Sequence, residues 1–328
     1  MKEINLKLAD IKDHLPKDII KEFCDNGFDK VELYPMDYSG LIEVLAKKQG
    51  VGKENIVLIN GVDEGVELLA RLFKGDILIF TPSYYEFRDA PKRNGFKFTE
   101  INCFDGKGYS LTYKDSDIKN RSLIYLCNPN NPFGLLKKEE ILELCRKTKG
   151  IVAVDETYIN FNGESVLGEF NQVKNLLVLR SFSKGYSVAG LRIGYIVGNK
   201  ELIYKIKAIK LYCNVNSVAV NCAKVLLTHE DYFVKLRHEI IKRKEEFESF
   251  MEKRGFQIIH THTNNIILKF DSIDSANHFF NFLKENNVIT NQGDGLSTCG
   301  LDNTFVRFCC GTKDQMEEVK KIILQYKR

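Results

Sequence analysis

Leu176-Leu177-Val178-Leu179 is followed by Ser181-Phe182-Ser183-Lys184-Gly185-Tyr186-Ser187-Val188-Ala189-Gly190-Leu191-Arg192-Ile193-Gly194-Tyr195. Four consecutive apolar residues predict a strand covered on both faces, and the polar, glycine-containing stretch after it predicts a loop at that strand's carboxyl end. Two serine hydroxyls, a lysine and an arginine share the loop. In open α/β sheets ligands gather where strands end. A lysine in a dry cleft beside other cations has a lowered pKa and can form a Schiff base. A solvated lysine is the ordinary alternative for Lys184 taken alone.

Working outward, the same pattern recurs. Asn55–Ile59, Ile77–Phe80, Phe96–Ile101, Ser122–Cys127, Ile151–Val154 and Ile193–Val197 read as strands. Helical stretches intervene at Asp63–Phe73, Tyr85–Asn94 and Lys137–Lys149. Apolar runs spaced by helices predict a largely parallel sheet with helices on both faces, an α/β architecture. The pattern changes after about Asn214. A long charged helix is predicted over His229–Arg254, with Thr228 as N-cap and Gly255 as its stop. Phe256–Ile259, Asn265–Phe270 and Phe305–Cys309 then read as strands, with helices at Ser275–Asn286 and Asp314–Tyr326, which suits a small α+β domain.

The bulk properties narrow the function classes. With 328 residues, 48 basic and 44 acidic, the chain carries a formal charge of +4, spread too evenly for a nucleic-acid partner. No apolar run approaches the roughly 20 residues needed to span a bilayer, and Met1–Asp10 lacks the apolar centre of a signal peptide. Nine cysteines without a CxxC pair fit reduced thiols better than disulfides or zinc, and point to a cytoplasmic protein. His260 and His262 flank a threonine with no carboxylate evident nearby, so a strand face is expected there and no metal. Lys242–Glu248 reads as a solvated helix face, with Glu239 and Arg243 paired one turn apart.

Four more segments place polar groups at the ends of predicted strands or within one. Cys127-Asn128-Pro129-Asn130-Asn131-Pro132-Phe133-Gly134 presents asparagine amides on a proline-stiffened turn, although an ordinary Asn-Pro turn reads the same way. In Val154-Asp155-Glu156-Thr157-Tyr158, Asp155 ends an apolar run, where a carboxylate needs either a helix to cap or a positive partner. Arg307, inside Phe305-Val306-Arg307-Phe308-Cys309, needs an anion: a structural ion pair or a substrate carboxylate held bidentately. Finally, Asn60-Gly61-Val62-Asp63-Glu64-Gly65 opens a helix after a strand, where free N–H groups bind phosphate, and helix capping alone would also explain Asp63.

Together, NPNNPFG, VDETY and SFSKGYSVAGLRIGY, in that order along the chain, resemble the fold-type I, class I and II aminotransferases, and within them the histidinol-phosphate aminotransferase-like group. The likeness runs from about Leu33 to Thr312. It implies pyridoxal 5'-phosphate as cofactor, a mainly parallel large domain over residues 36–215, and a smaller α+β domain formed by residues 1–35 with 216–328. It implies that Lys184 carries the cofactor as a Schiff base and then moves the α-proton, and that Asp155 pairs with the ring nitrogen. Tyr158 and Asn131 would bond the ring 3-oxygen and Tyr84 would stack on the ring. Ser181, Ser183, Arg192 and the Gly61-Val62-Asp63 segment would hold the phosphate. Tyr34 would serve the neighbouring subunit's phosphate, making the unit a homodimer, and Arg307 would grip the substrate carboxylate, with Asn131 beside it.

The sequence departs from that family in three places. Ile4–Asp10 has no Asn-Glu-Asn-Pro motif, Phe133 stands where threonine is usual, and Thr290-Asn291 stands where an arginine for a distal phosphate is common. The expected activity is transfer of an amino group between an amino acid (or an amine such as histidinol phosphate) and a 2-oxo acid. A decarboxylase acting on threonine phosphate is the rival within the same cofactor class. A non-catalytic ligand-binding α/β protein is the rival from another.

Overall fold

The computed structural model describes residues 3–35, 37–295 and 300–327. In chain order its elements are β1 (Ile4–Asn5), α1 (Lys17–Asn26), α2 (Ser39–Gln49), β2 (Ile56–Ile59), α3 (Gly61–Leu72), β3 (Ile77–Thr81), α4 (Glu86–Arg93) and β4 (Phe98–Asn102). Next come α5 (Asp115–Ile118), β5 (Leu123–Cys127), α6 (Lys138–Lys147), β6 (Ile151–Asp155), β7 (Leu176–Ser181), β8 (Gly194–Gly198), α7 (Lys200–Ile209) and α8 (Ser217–Thr228). The chain ends with α9 (Glu230–Lys253), β9 (Gln257–Ile259), β10 (Asn265–Lys269), α10 (Ile273–Glu285), β11 (Val288–Ile289), β12 (Asn291–Gln292), β13 (Phe305–Cys309) and α11 (Lys313–Ile323).

Seven strands form the central sheet in the order β2-β8-β7-β6-β5-β3-β4. Its neighbours are parallel except β8, which runs antiparallel to both β7 and β2. The continuous apolar runs follow from burial on both faces. Leu78, Phe80, Ile124, Leu126, Val152, Val154, Leu176 and Val178 point into one core, under α2, α6 and α8. Their alternates Ile77, Ile79, Leu123, Tyr125, Ala153, Leu177 and Leu179 point into the other, under α3, α4 and α7. Successive side chains go to opposite faces of a strand, so only a sheet sandwiched by helices accepts such runs. It also puts the carboxyl ends of β3, β5, β6 and β7 on one edge.

The second sheet is antiparallel, in the order β12-β13-β10-β9. Val306 and Phe308 of β13 join the core beneath α9, α10 and α11. The alternation then turns Phe305 and Arg307 to the opposite face. The amino terminus belongs to this half too, because β1 pairs in parallel with β11.

The long charged helix is α9, but two details differ from expectation. Thr228 ends α8, its hydroxyl donating to the Val225 carbonyl, and His229 occupies the N-cap position of α9. Gly255 stops the helix with φ of 83°, in the left-handed region that suits glycine. Nor is Lys242–Glu248 wholly solvated: Lys244 and Glu248 are buried, at 4% and 2% exposure. Lys244 donates to Glu248 at 3.2 Å and to the Thr261 carbonyl at 2.7 Å. Arg243 turns away from Glu239 and clasps Asp13 with two bonds of 3.0 and 2.9 Å. His260 has the carboxylates that its sequence neighbours lack, with Glu248 at 3.2 Å and Glu252 at 3.1 Å. The charges of one helix face point inward because the tail folds back across it, which helical periodicity cannot reveal. Among the described residues, no helix is long and apolar enough to cross a membrane.

Breaking a buried pair by removing one partner strands the other charge, whereas removing both does not. Lys244→Met is expected to lower unfolding free energy by about 3 kcal/mol, and Lys244→Met combined with Glu248→Gln to restore most of it, read from urea unfolding midpoints.

Candidate active site

A cavity of about 350 Å³ lies where the carboxyl edge of the central sheet meets the second sheet. Strand ends supply most of its wall, which is the expected place for a ligand in an open α/β sheet. From β6 and its turn come Asp155, Thr157 and Tyr158, and from β7 and its loop come Ser181, Ser183, Lys184 and Arg192. The turns after β3 and β5 add Tyr84, Tyr85, Cys127 and Asn131, and the start of α3 adds Val62 and Asp63. Arg307 enters from β13.

Two groups there are shifted by desolvation. Burial disfavours the ammonium of Lys184 and lowers its pKa to about 8, an effect that Asp10 opposes and the Arg307 and Arg192 charges reinforce. Burial likewise raises the Asp155 carboxyl to about 6, against the Thr157 side-chain and backbone donors that favour its ionised form. The Thr157 N–H bond measures 2.9 Å. The cavity thus holds an amine that gives up its proton easily and a carboxyl reluctant to ionise without a cation before it.

One end of the cavity is built for an anion. Arg192 donates to Asp63 at 2.7 Å, and Asp63 also accepts from the Tyr84 hydroxyl at 2.6 Å. Burial and Asp63 raise the Tyr84 phenol, which stays protonated. The first turn of α3 faces the same space, and the Asn60 side chain does not cap it, so the helix's leading N–H groups offer an anion site. Gly61 adjoins this end with φ of 75°, and a Cβ there would stand 2.4 Å from an Arg192 guanidinium nitrogen. A backbone with no side chain, two serines and a guanidinium make a cradle that fits a phosphate.

The three asparagines of the proline turn divide the work. Asn128 closes the turn on itself, exchanging bonds with the backbone of Leu136 at 3.2 and 2.9 Å. Asn130 ties it to the β3 loop, donating to the Pro82 carbonyl at 2.8 Å and accepting from Ser83 at 2.9 Å. Only Asn131 reaches the cavity. Its Oδ1 accepts from Asn265 of β10 at 3.2 Å, which leaves its Nδ2 as the donor available to a ligand. Phe133 is fully buried and stacks edge-on to Phe104 at 4.9 Å, within a cluster that includes Ile267 and Phe305. It packs the turn against the second sheet.

A network behind Lys184 fixes its loop. Arg237, on α9 and 5% exposed, donates to the Gly185 carbonyl at 2.8 Å. Arg237 also pairs with Glu230 at 2.8 Å, and Glu230 accepts from the Tyr186 hydroxyl at 2.5 Å and from Lys48 at 2.9 Å. Burial alone would raise Glu230, but these three donors hold it down to about 2.

The structure gathers the sequence-derived candidates Val62, Asp63, Tyr84, Asn131, Asp155, Tyr158, Ser181, Ser183, Lys184, Arg192 and Arg307 around one space, with Gly61 adjoining. Tyr34 does not join them. It is 82% exposed and lines a separate groove with Tyr212 and Asn216. Sequence reasoning passed over Leu8, Ala9 and Asp10, which also line the cavity. No motif marks them; the β1–β11 pairing and the bonds that Cys309, Asn291 and Asn264 make to the backbone beyond it bring them there.

Because burial removes the proton from Lys184 at lower pH, its amine should be half-neutral near pH 8. Competitive acetic anhydride labelling of the apoprotein, followed by peptide mass spectrometry, should show that midpoint, with exposed lysines titrating near the usual value of about 10.4.

Comparison with known proteins agrees with the geometry. The family described as "Aminotransferase class I and II" matches residues 2–323. A histidinol-phosphate aminotransferase of Thermoanaerobacter pseudethanolicus is 32% identical over 277 residues, covering 79% of this chain and 76% of that one. Among solved structures, the histidinol-phosphate aminotransferase of Clostridium acetobutylicum superposes with a TM-score of 0.86 at 26% identity, covering 97% of each chain. The L-threonine-O-3-phosphate decarboxylase of Porphyromonas gingivalis does so at 0.84 and 26%, covering 98% of each. The Sinorhizobium meliloti histidinol-phosphate aminotransferase, solved in complex with pyridoxal-5'-phosphate, shares the fold at 0.87 and 17% identity, covering 98% of this chain and 91% of that one. A match across nearly the whole chain, on a scaffold whose strand ends hold a desolvated lysine, shows that this chain belongs to the class I and II aminotransferases, pyridoxal 5'-phosphate enzymes that move amino groups between amino acids and 2-oxo acids.

Proposed function

We propose that Lys184 is the residue that carries the cofactor and moves the proton, and that the cavity around it is the site of amino transfer. The observation that carries this reading is the shared cavity itself: a desolvated amine, a buried carboxyl and a phosphate cradle line one space. Pyridoxal 5'-phosphate supplies an electron sink that stabilises negative charge at the substrate Cα. Arg192, Ser181, Ser183 and the N–H groups of Gly61, Val62 and Asp63 would hold its phosphate. Asp155 would face the ring nitrogen, whose positive charge would keep the carboxylate ionised despite burial. Asn131, through Nδ2, and Tyr158 would donate to the ring 3-oxygen, and Tyr84 would lie against the ring.

The chain's own groups then do the rest. Arg307 would take the substrate α-carboxylate in a bidentate grip and so orient Cα, with Asn131 beside it. Lys184, neutral above about pH 8, is the base that takes the proton from Cα. Arg237 and Glu230 act as positioning residues that hold the loop carrying it.

We propose a homodimer as the working unit. Phe28, Val31, Leu33 and Tyr34 are exposed, as are Leu211 and Tyr212, and Val31, Leu33, Tyr34 and Tyr212 line one groove. Such a patch suits a second copy, for whose phosphate site Tyr34 is free to reach. We further propose residues 36–215 as the cofactor-binding domain and 1–35 with 216–328 as the smaller one, in a cytoplasmic protein with reduced thiols. All the described cysteines are unbridged.

The decisive experiment supplies purified holoenzyme with a panel of amino donors, histidinol phosphate included, and assays both 2-oxo product and carbon dioxide. Oxo product is expected; carbon dioxide in its place would transfer the chain to the decarboxylase reading. Lys184→Ala should lower turnover by at least about a thousandfold, in the range of a missing general base and nucleophile together. Arg307→Ala should mainly raise KM, by roughly 10–100-fold, about 1.4–3 kcal/mol of charge-assisted bonding. Sedimentation should give twice the chain mass.

A further inference from the structure

The amino-terminal segment builds a carboxylate into the wall of the cavity. β1 is paired with β11, and beyond it the Leu6 carbonyl accepts from the Cys309 N–H at 3.0 Å. Asn291 donates to the Lys7 carbonyl at 2.9 Å and Asn264 to the Ala9 carbonyl at 3.1 Å. Past the cavity, Arg243 clasps Asp13. Bonds from β11, β12, β13, α9 and the turn before β10 therefore hold the stretch that carries Leu8, Ala9 and Asp10 along the wall.

Asp10 stands out when the wall's charges are matched to their work. The described lining residues include three cations, Lys184, Arg192 and Arg307, and three carboxylates, Asp10, Asp63 and Asp155. On the roles proposed above, every cation is committed to the cofactor or to the α-carboxylate. Asp63 is held by Arg192 and Tyr84, and Asp155 faces the ring. Asp10 is the charged lining group left for the rest of the substrate. Its Oδ1 accepts from Lys12 at 2.7 Å, while its side chain stays 39% exposed. A carboxylate offers about four lone-pair sites, so it can accept further bonds. Lys12 does not line the cavity, so an incoming side chain meets the carboxylate of the pair.

We infer that Asp10 selects the amino donor: side chains bearing an N–H or O–H donor and no distal anion are accepted, and those ending in a carboxylate or phosphate are disfavoured. The inference rests on the site roles proposed above. Like charge across a partly desolvated wall discriminates more strongly than it does in open water, and the Asp10 charge already reaches Lys184.

The test compares near-isosteric donors that differ in distal charge, glutamine with glutamate and serine with phosphoserine. Dissociation constants are read by spectral titration on cofactor-loaded Lys184→Ala protein, in which donors bind without turnover. The neutral member of each pair should bind at least about tenfold tighter. Adding Asp10→Asn should bring the ratio close to one, and adding Lys12→Met, which unmasks the Asp10 charge, should widen it. The two changes act in opposite directions, so misfolding of one variant cannot imitate the result. Tighter binding of the anionic member, or a ratio that neither change moves, would overturn the inference. If the ratios behave as stated while wild-type holoenzyme yields no 2-oxo acid from any donor, the proposed site chemistry fails and the selectivity stands.

Discussion

Desolvation is the constraint on which the site turns. Water at the strand ends would return Lys184 and Asp155 to their ordinary behaviour, a permanently charged ammonium and a freely ionised carboxylate. Packing the second sheet over the carboxyl edge of the first removes that water. The same burial acts in opposite directions on the two groups because each is pushed toward its neutral form: the amine loses its proton more easily and the acid holds its own longer. Arg192 and Arg307, both in the cavity wall, supply fixed positive charge there.

Keeping such groups in place costs conformational freedom, and the chain meets that cost with polar links from outside the central sheet. Asn265 of the second sheet holds Asn131, Arg237 of α9 holds the carbonyl after Lys184, and Asn264 holds Ala9. None of these three lines the cavity. Each couples the position of the second sheet or its helices to a wall residue or to the residue directly after one, so the tail beyond Asn214 does more than cover the site.

The amino-terminal strand extends the same principle. Two residues of β1 add little stability, yet their register with Val288 and Ile289 decides which side chains reach the cavity. Slipping a strand by one residue reverses which face its side chains take. Asp10 faces the cavity because of that register, and Thr290 and Asn291, next to the pairing strand, bring no cation to balance it. Thr290 is buried, and the Asn291 amide is used on Lys7.

Much of this was legible in the residues alone. Short apolar runs such as Leu176–Leu179, recurring between helical stretches, read as strands covered on both faces, so the central sheet was legible from local chemistry. Polar groups placed at the ends of those runs, such as Asp155 and Lys184, had to meet at one edge once the strands were parallel. The antiparallel insertion of β8, the inward turn of Lys244 and Glu248, and the division of labour among Asn128, Asn130 and Asn131 were not legible. The entry of Leu8–Asp10 into the wall was not either. Each depends on a partner more than a turn away in sequence: Thr261 for Lys244, Ser83 for Asn130, Ile289 for Leu6. Sequence fixes what a segment can bury and which way its side chains alternate; only tertiary contact decides which of two equivalent faces meets water and which meets another charge.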